Sequence, residues 1–198
     1  ETVPSPGPTG KIRADGVREK CLRGATAVQE LIEPMVTGKP YPIKGLVAYA
    51  CNLLHTIPNV PRTKEALKKL DFVLAIDVLP QDHIAWADVV FPEATYLERH
   101  DDLWVCSHKT PYIALREPAI EPLYETKPGW WMARELGLRL GMESYFQWKT
   151  AEEYINTRLS SLGMNIAKLH DMGGVTVQKG KPYLTDYEAD KTSPFATP

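Results

Sequence analysis

The sequence lacks the common signatures of metal binding, nucleotide binding and disulfide-rich frameworks. Its 198 residues contain only three cysteines, and its five histidines form no HExxH or HxH pattern. The cysteines are too far apart for a CxxC pair, so we expect no metal site in this chain, and their odd number argues against a disulfide framework. Neither GxGxxG nor a P-loop motif occurs, which excludes the usual nicotinamide and P-loop fingerprints. No catalytic residue can be assigned from motifs.

An excess of basic charge and a long apolar run are also absent. The net charge is −2 at pH 7 and no basic face stands out, so nothing favours a nucleic acid or an anionic membrane as a partner. No apolar run approaches the length of a membrane span, and the first ten residues lack the charged-then-apolar order of a secretory signal. With 43% hydrophobic and 24% charged residues, the composition is that of a globular rather than a disordered protein.

The three thiols have different expected environments. Cys21 and Cys106 lie in segments without a site pattern, and we interpret them as small buried hydrophobic residues. Cys51 follows directly on an apolar run, where a ligand can meet the end of a strand. For Cys51 both an inert buried thiol and a ligand contact stay open.

The pattern between residues 46 and 91 is typical of β-α-β units. Its apolar runs do not alternate with polar residues, which favours parallel strands covered on both faces. Such strands are joined by crossovers long enough for a helix. We therefore predict an α/β fold with a mostly parallel sheet. The predicted strands are residues 46–50, 72–76 and 89–91; residues 63–70 form an amphipathic helix that Asn59 or Thr63 caps, and a short helix begins near Gln81 or Asp82.

Outside this region the sequence predicts mainly helices. A helix is expected over residues 17–35, with Pro34 and Gly38 marking its end, and a loop is expected after Asn52. Further helices are predicted from Pro128 to before Gly141, from a capping box at Thr150 to about Gly163, and from Asn165 to Gly173. Residues 175–184 suggest a hairpin or a strap. We divide the chain into an irregular lead-in plus helix (1–45), an α/β core (46–141), and a helical extension with a C-terminal tail (142–198).

Two polar residues stand at the expected strand ends, where ligands of open parallel sheets collect. Asn52 offers both donors and an acceptor, and it also tolerates a sharp turn, so it either contacts a ligand or only shapes the backbone. Asp77 ends the next strand, and its carboxylate can accept two adjacent N–H bonds from a guanine or pterin edge, or bonds from ribose hydroxyls. The alternative for Asp77 is a helix cap.

The residues from Leu46 to Leu140 closely resemble a segment of the molybdopterin oxidoreductases, the dimethyl-sulfoxide-reductase-like superfamily. The runs ALKKLDFVLAIDV and ADVVFPEATYLER are the specific parts of this resemblance, and KPGWWMARELGLRLG extends it. The branch that looks most similar contains the polysulfide and thiosulfate reductase catalytic subunits. The resemblance implies a Rossmann-like αβα sandwich that forms one part of a larger multidomain subunit.

The resemblance also implies which residues bind the cofactor. Asn52 matches the Asn of the family's strand–Gly-Asn-Pro turn, although Cys51 replaces the Gly and Leu53 the Pro. The pair Ile76 and Asp77 matches the strand end that meets the guanosine, and Arg99 matches a basic residue after the family's Leu-Glu. The expected cofactor-binding residues are Cys51, Asn52, Ile76, Asp77 and Arg99.

Family members use molybdenum on two molybdopterin guanine dinucleotides, and the resemblance carries these expectations to the parent of this chain. The parent is expected to reduce polysulfide or thiosulfate, and its iron–sulfur cluster would not be ligated by this chain. Expected partners are the remaining domains of its subunit, an iron–sulfur electron-transfer subunit and a membrane quinol-oxidising subunit. The resemblance to this branch also implies a periplasmic location, with membrane association through the partner subunits. This piece alone would be inactive. The alternative is a cofactor-free structural subunit of a respiratory complex that retains the fold.

Overall fold

The computed structural model describes residues 14, 28–106 and 112–177, without the side chains of residues 106 and 177. The chain divides into two compact units, Glu1–Glu93 and Ala94–Pro198. The division at residues 45 and 141 that the sequence suggests stays a prediction. Cys21 lies outside the described residues, as does most of the first predicted helix.

The first unit is built on a parallel sheet of three strands. These strands are β1 (Gly45–Tyr49), β2 (Phe72–Asp77) and β3 (Val89–Pro92), in the order β1-β2-β3. In the register, Ala48 lies beside Ala75, and Ala75 beside Val90. β2 is the central strand and is buried from its second residue to its last, which is why its sequence shows no alternation. The α/β class and the mostly parallel sheet are confirmed.

Short helices pack against this sheet. A 3-10 turn at Val28–Leu31 leads into α1 (Ile32–Thr37); α2 (Leu53–Thr56) and α3 (Val60–Lys68) lie between β1 and β2. Their apolar faces form one core with Ala48 of β1, which includes Met35, Leu53 and Ala66. Burying these side chains drives the packing, since about 25 cal/mol is gained per Å² of apolar surface removed from water. The helices thereby fix the loops that leave the sheet.

Several details of the first unit differ from the sequence-based expectation, and one alternative that the sequence left open is resolved. β1 ends at Tyr49 rather than Ala50, because Ala50 adopts a left-handed backbone with φ 48°. The loop predicted after Asn52 contains α2. Asn59, not Thr63, caps α3 by accepting from Arg62 N. Pro34 lies in the first turn of α1, where its missing N–H is tolerated, and the helix ends at Gly38 as predicted.

The second unit combines helices with an antiparallel sheet of three short strands. Its strands are β4 (Trp104–Cys106), β5 (Tyr112–Ala114) and β6 (Val175–Val177), in the order β4-β5-β6. Its helices are α4 (Gly129–Arg139), a 3-10 turn (Glu143–Tyr145), α5 (Ala151–Ser160) and α6 (Ile166–Asp171). The predicted helix starts at Pro128, Thr150 and Asn165 are confirmed, but α5 ends three residues before Gly163. The core of α5 and α6 is Ile155, Leu159 and Leu169.

Glu98 is a buried carboxylate that organises a loop of the second unit. Its Oε2 accepts from the hydroxyl and the backbone N of Thr95, and its Oε1 accepts from Leu123 N at 2.8 Å. These hydrogen bonds, the Thr95 hydroxyl first, hold the pKa of Glu98 below its usual value of 4.5. The charged form therefore stabilises the fold above the unfolded pKa, and this contribution is lost as pH falls through the lower folded pKa.

We expect Glu98→Gln to lower the melting temperature by a few degrees at pH 7 and to remove this acid-dependent loss, because the amide no longer titrates. Melting temperatures measured from pH 7 down to about pH 3 would converge for the two proteins. Glu125→Gln is the matched control, since Glu125 is exposed and makes no hydrogen bond to any described residue. If the difference in melting temperature between wild type and Glu98→Gln stayed constant over this pH range, the role assigned to Glu98 would be contradicted.

Candidate functional site

The carboxyl ends of β1 and β2 place the predicted site residues at one edge of the first unit. Tyr49 lies beside Ile76 in the register, and the next residue, Ala50, donates its N–H to Ile76 O at 2.9 Å. The left-handed Ala50 then turns the chain sharply out of the sheet. Cys51 and Asn52 follow at this edge, where Asp77 ends the central strand. Four of the five predicted site residues are thus brought to the same end of the sheet.

Asp77 is nearly buried, with 8% of its surface exposed. Its Oδ1 accepts from the backbone N of Val78 at 2.7 Å and more weakly from Leu79 at 3.4 Å. No described residue donates to its Oδ2. One carboxylate oxygen therefore shapes the turn after β2 while the other keeps its capacity to accept.

Asn52 begins α2, and its carbonyl oxygen accepts the first helical N–H bonds from His55 and Thr56. Its side chain does not cap the helix. Instead Nδ2 donates to Oε1 of Gln81, in the loop after β2, at 2.9 Å. Its Oδ1 is buried and has no hydrogen-bond partner among the described residues. Gln81 thus joins the site, a contact that the sequence alone did not predict.

Cys51 is a free, partly exposed thiol. Burial raises its pKa, and the negative charge of Asp77 raises it further. The thiol therefore stays protonated at neutral pH, and it is a poor nucleophile and a poor metal ligand. Within the part of the chain that the structure describes, no cluster of His, Cys, Asp or Glu could hold a metal ion.

A second buried carboxylate stands at the same edge. Glu93, which follows β3, is 3% exposed and accepts from the Tyr49 hydroxyl at 2.5 Å. Its backbone N donates to Asp77 O at 3.0 Å. The sequence shows Glu93 only as one of several crowded acidic residues; its position after the third strand is the signal that could have selected it.

Histidines flank the site in two different environments. His55 and Asp82 form an exposed pair at 2.6 Å across the loops. His83 is buried, and neither ring nitrogen has a hydrogen-bond partner among the described residues. His83 therefore carries unused hydrogen-bonding capacity in the interior, whereas His55 belongs to the surface.

Arg99, the fifth predicted residue, belongs to the second unit. Its guanidinium donates to Ala94 O at 2.7 Å and to Asp101 at 3.4 Å. Asp101 also pairs with Arg116 at 3.1 Å. These contacts anchor a loop of the second unit, and a role for Arg99 toward a cofactor stays a prediction.

The arrangement at the sheet edge suits binding rather than bond cleavage. Asn52 Oδ1 is buried without a hydrogen-bond partner among the described residues. The hydrogen bonds that Asp77 accepts from described residues all go to its Oδ1, so Oδ2 is also an available acceptor. Acceptors bind N–H and O–H groups. The edge combines them with a protonated thiol, and the described residues contain no nucleophile–base pair here. The edge can therefore hold a heterocycle or a sugar that presents donors.

Comparison with known proteins identifies relatives over most of the described chain. Residues 23–139 match the family model for molybdopterin oxidoreductase. The thiosulfate reductase molybdopterin-containing subunit PhsA of Salmonella typhimurium is 36% identical over 126 residues, which are 64% of this chain and 17% of that protein. The acetylene hydratase of Syntrophotalea acetylenica is 34% identical over 136 residues, which are 68% of this chain and 18% of that protein.

A solved structure shows the same fold. The acetylene hydratase structure from Pelobacter acetylenicus matches with a TM-score of 0.64 and 30% identity. The match covers 76% of this chain and 20% of that one. The chain thus spans about a fifth of the length of the relatives that it matches.

Proposed function

This chain belongs to the molybdopterin oxidoreductase family, and from that premise we propose that it holds the guanosine part of one molybdopterin guanine dinucleotide. The observation that carries this proposal is the buried Asp77 at the end of the central parallel strand, with one carboxylate oxygen left as an acceptor. A carboxylate there can accept from the adjacent N–H groups of a guanine edge.

The residues at the sheet edge fit such a ligand. Asp77 and Asn52 both keep an acceptor without a partner among the described residues, and guanosine offers ring N–H, amino and hydroxyl donors. Cys51, with its protonated thiol, adds no charge beside the anionic dinucleotide. Ile76 would act through its backbone, since its carbonyl fixes the turn at Ala50.

In this proposal the protein binds and orients the cofactor, and the cofactor would supply the redox chemistry at molybdenum. Asp77 and Asn52 would bind the dinucleotide end, and the core of α1 to α3 would keep their loops fixed. This chain alone would not catalyse the reaction, because none of its described residues forms a catalytic set.

We extend the proposal to the complete subunit as a molybdenum oxidoreductase that reduces thiosulfate or polysulfide. Its support is the similarity to the thiosulfate reductase subunit and the resemblance of the sequence motifs. The comparable similarity to an acetylene hydratase supports the proposal that residues outside this chain choose the substrate. Electrons would come from a quinol through a membrane subunit and an iron–sulfur subunit, at the periplasmic side. No helix of the described residues is long and apolar enough to cross a membrane.

Metal and nucleotide analysis of the purified complete subunit tests this function. We expect molybdenum together with about two guanine nucleotides released per metal on acid treatment. Reduced-dye assays with thiosulfate and polysulfide then identify the substrate. A folded subunit free of both molybdenum and guanine would refute the proposal and favour the alternative, a structural subunit without cofactor.

A further inference from the structure

The Asn52 side chain is used unusually for a residue that begins a helix. An Asn at this position ordinarily accepts a bond from the second or third helical N–H with its side-chain oxygen. Asn59 does so with Arg62 N, and Asn165 does so with Lys168 N. Asn52 makes no such cap, because its amide is drawn to Gln81 in the loop after β2. Asn52 thus differs from Asn59 and Asn165, because its side chain bonds to another loop instead of to its own helix.

The contact with Gln81 uses only the nitrogen of the Asn52 amide and leaves its oxygen as an unsatisfied acceptor. Oδ1 of Asn52 is buried without a partner among the described residues, which costs free energy in the folded protein. The residue as a whole is partly exposed. The cost is removed when a donor arrives at Oδ1.

The chemistry of that donor can be specified. Ionised phosphate oxygens only accept hydrogen bonds and cannot satisfy a carbonyl oxygen, whereas sugar hydroxyls and ring N–H groups can. The side of the dinucleotide that meets Asn52 is therefore a hydroxyl or an N–H group, not the diphosphate.

We propose that Gln81 is a positioning residue, which holds the Asn52 amide so that Oδ1 accepts a hydroxyl or N–H group of the dinucleotide. This inference rests on the proposed function. Gln81 acts through its acceptor Oε1, which engages Asn52 Nδ2 and thereby fixes which end of the amide faces the ligand. Replacement by Glu keeps an acceptor at this place, and replacement by Ala removes it.

The test measures how fast guanine nucleotide is lost from the purified complete subunit during gel filtration, with circular dichroism as the folding check. We expect Gln81→Ala to speed the loss roughly tenfold and Gln81→Glu to stay within about twofold of wild type. If Gln81→Ala does not fold, Gln81→Met serves, since it keeps the length without the acceptor. In an Asn52→Ala background, Gln81→Ala is expected to add less than about twofold.

Two outcomes would overturn the positioning role: equally fast loss from the Ala and Glu variants, or an undiminished effect of Gln81→Ala when Asn52 is already Ala. Both leave the proposed function intact, because wild type still contains guanine nucleotide. Wild-type subunit without any guanine nucleotide would instead refute the proposed function itself.

Discussion

Asp77→Ala is expected to make the complete subunit lose the proposed guanine dinucleotide roughly a hundredfold faster than wild type. The substitution removes a buried carboxylate whose remaining acceptor, Oδ2, would accept a charge-assisted hydrogen bond that contributes about 1.5–3 kcal/mol. Molybdenum should be lost with the dinucleotide, because the proposed cofactor carries the metal. Metal analysis and guanine release after timed gel filtration measure both quantities.

The experiment must separate ligand binding from the structural role of Asp77. Its Oδ1 also accepts from Val78 N, so Asp77→Ala loosens the turn as well. Asp77→Asn keeps an oxygen for this turn and removes the charge, and we expect it to lose nucleotide at an intermediate rate. Asp82→Ala is the matched control a few residues further along, since Asp82 is exposed and its ion pair among the described residues is the surface pair with His55. Full molybdenum and guanine content in Asp77→Ala would remove Asp77 from the site.

The placement of Asn52 and Asp77 could be predicted because it needs only short-range information. An unbroken apolar run identifies a strand in a parallel sheet, and the carboxyl ends of parallel neighbours meet at one edge. Asp77 ends β2 as expected, and Asn52 lies three residues beyond the end of β1. The family resemblance suggests which ligand these two residues bind, whereas their placement at one edge follows from the topology of the sheet.

The contacts around them could not be predicted, because they join residues far apart in sequence. Gln81 is 29 positions from Asn52, and Glu93 is 44 positions from Tyr49. Such pairs depend on the lengths of the loops and on the direction of the side chains after each strand. The burial of His83 could not be predicted either, because the residues of its 3-10 turn show no apolar periodicity.

The second sheet escaped prediction for a related reason. β4, β5 and β6 have three residues each, too few for a recognisable alternation. β6 pairs with β5 although it lies about 60 positions further along the chain, so the sequence near either strand does not indicate its partner. The helices of the same unit were predictable because caps at Thr150 and Asn165 are encoded within four residues.

The turn at Ala50 offers a test of how strongly the backbone fixes the site. Ala50 is exposed and has φ 48°, a conformation that a β-branched residue adopts only at high cost. An added side chain at this exposed position has room, so any effect of Val comes from the backbone. We expect Ala50→Val to lower the free energy of unfolding by about 2 kcal/mol.

The same substitution is expected to speed guanine-nucleotide loss, because a relaxed turn moves Cys51 and Asn52 away from the edge where Asp77 ends β2. Ala50→Gly is the matched control: glycine accepts positive φ without strain, so the unfolding free energy should stay equal or rise by up to about 1 kcal/mol, with normal nucleotide retention. Denaturant unfolding followed by circular dichroism gives the first quantity, and timed gel filtration the second. If Ala50→Val were as stable and as retentive as Ala50→Gly, the left-handed turn would have no part in holding the site.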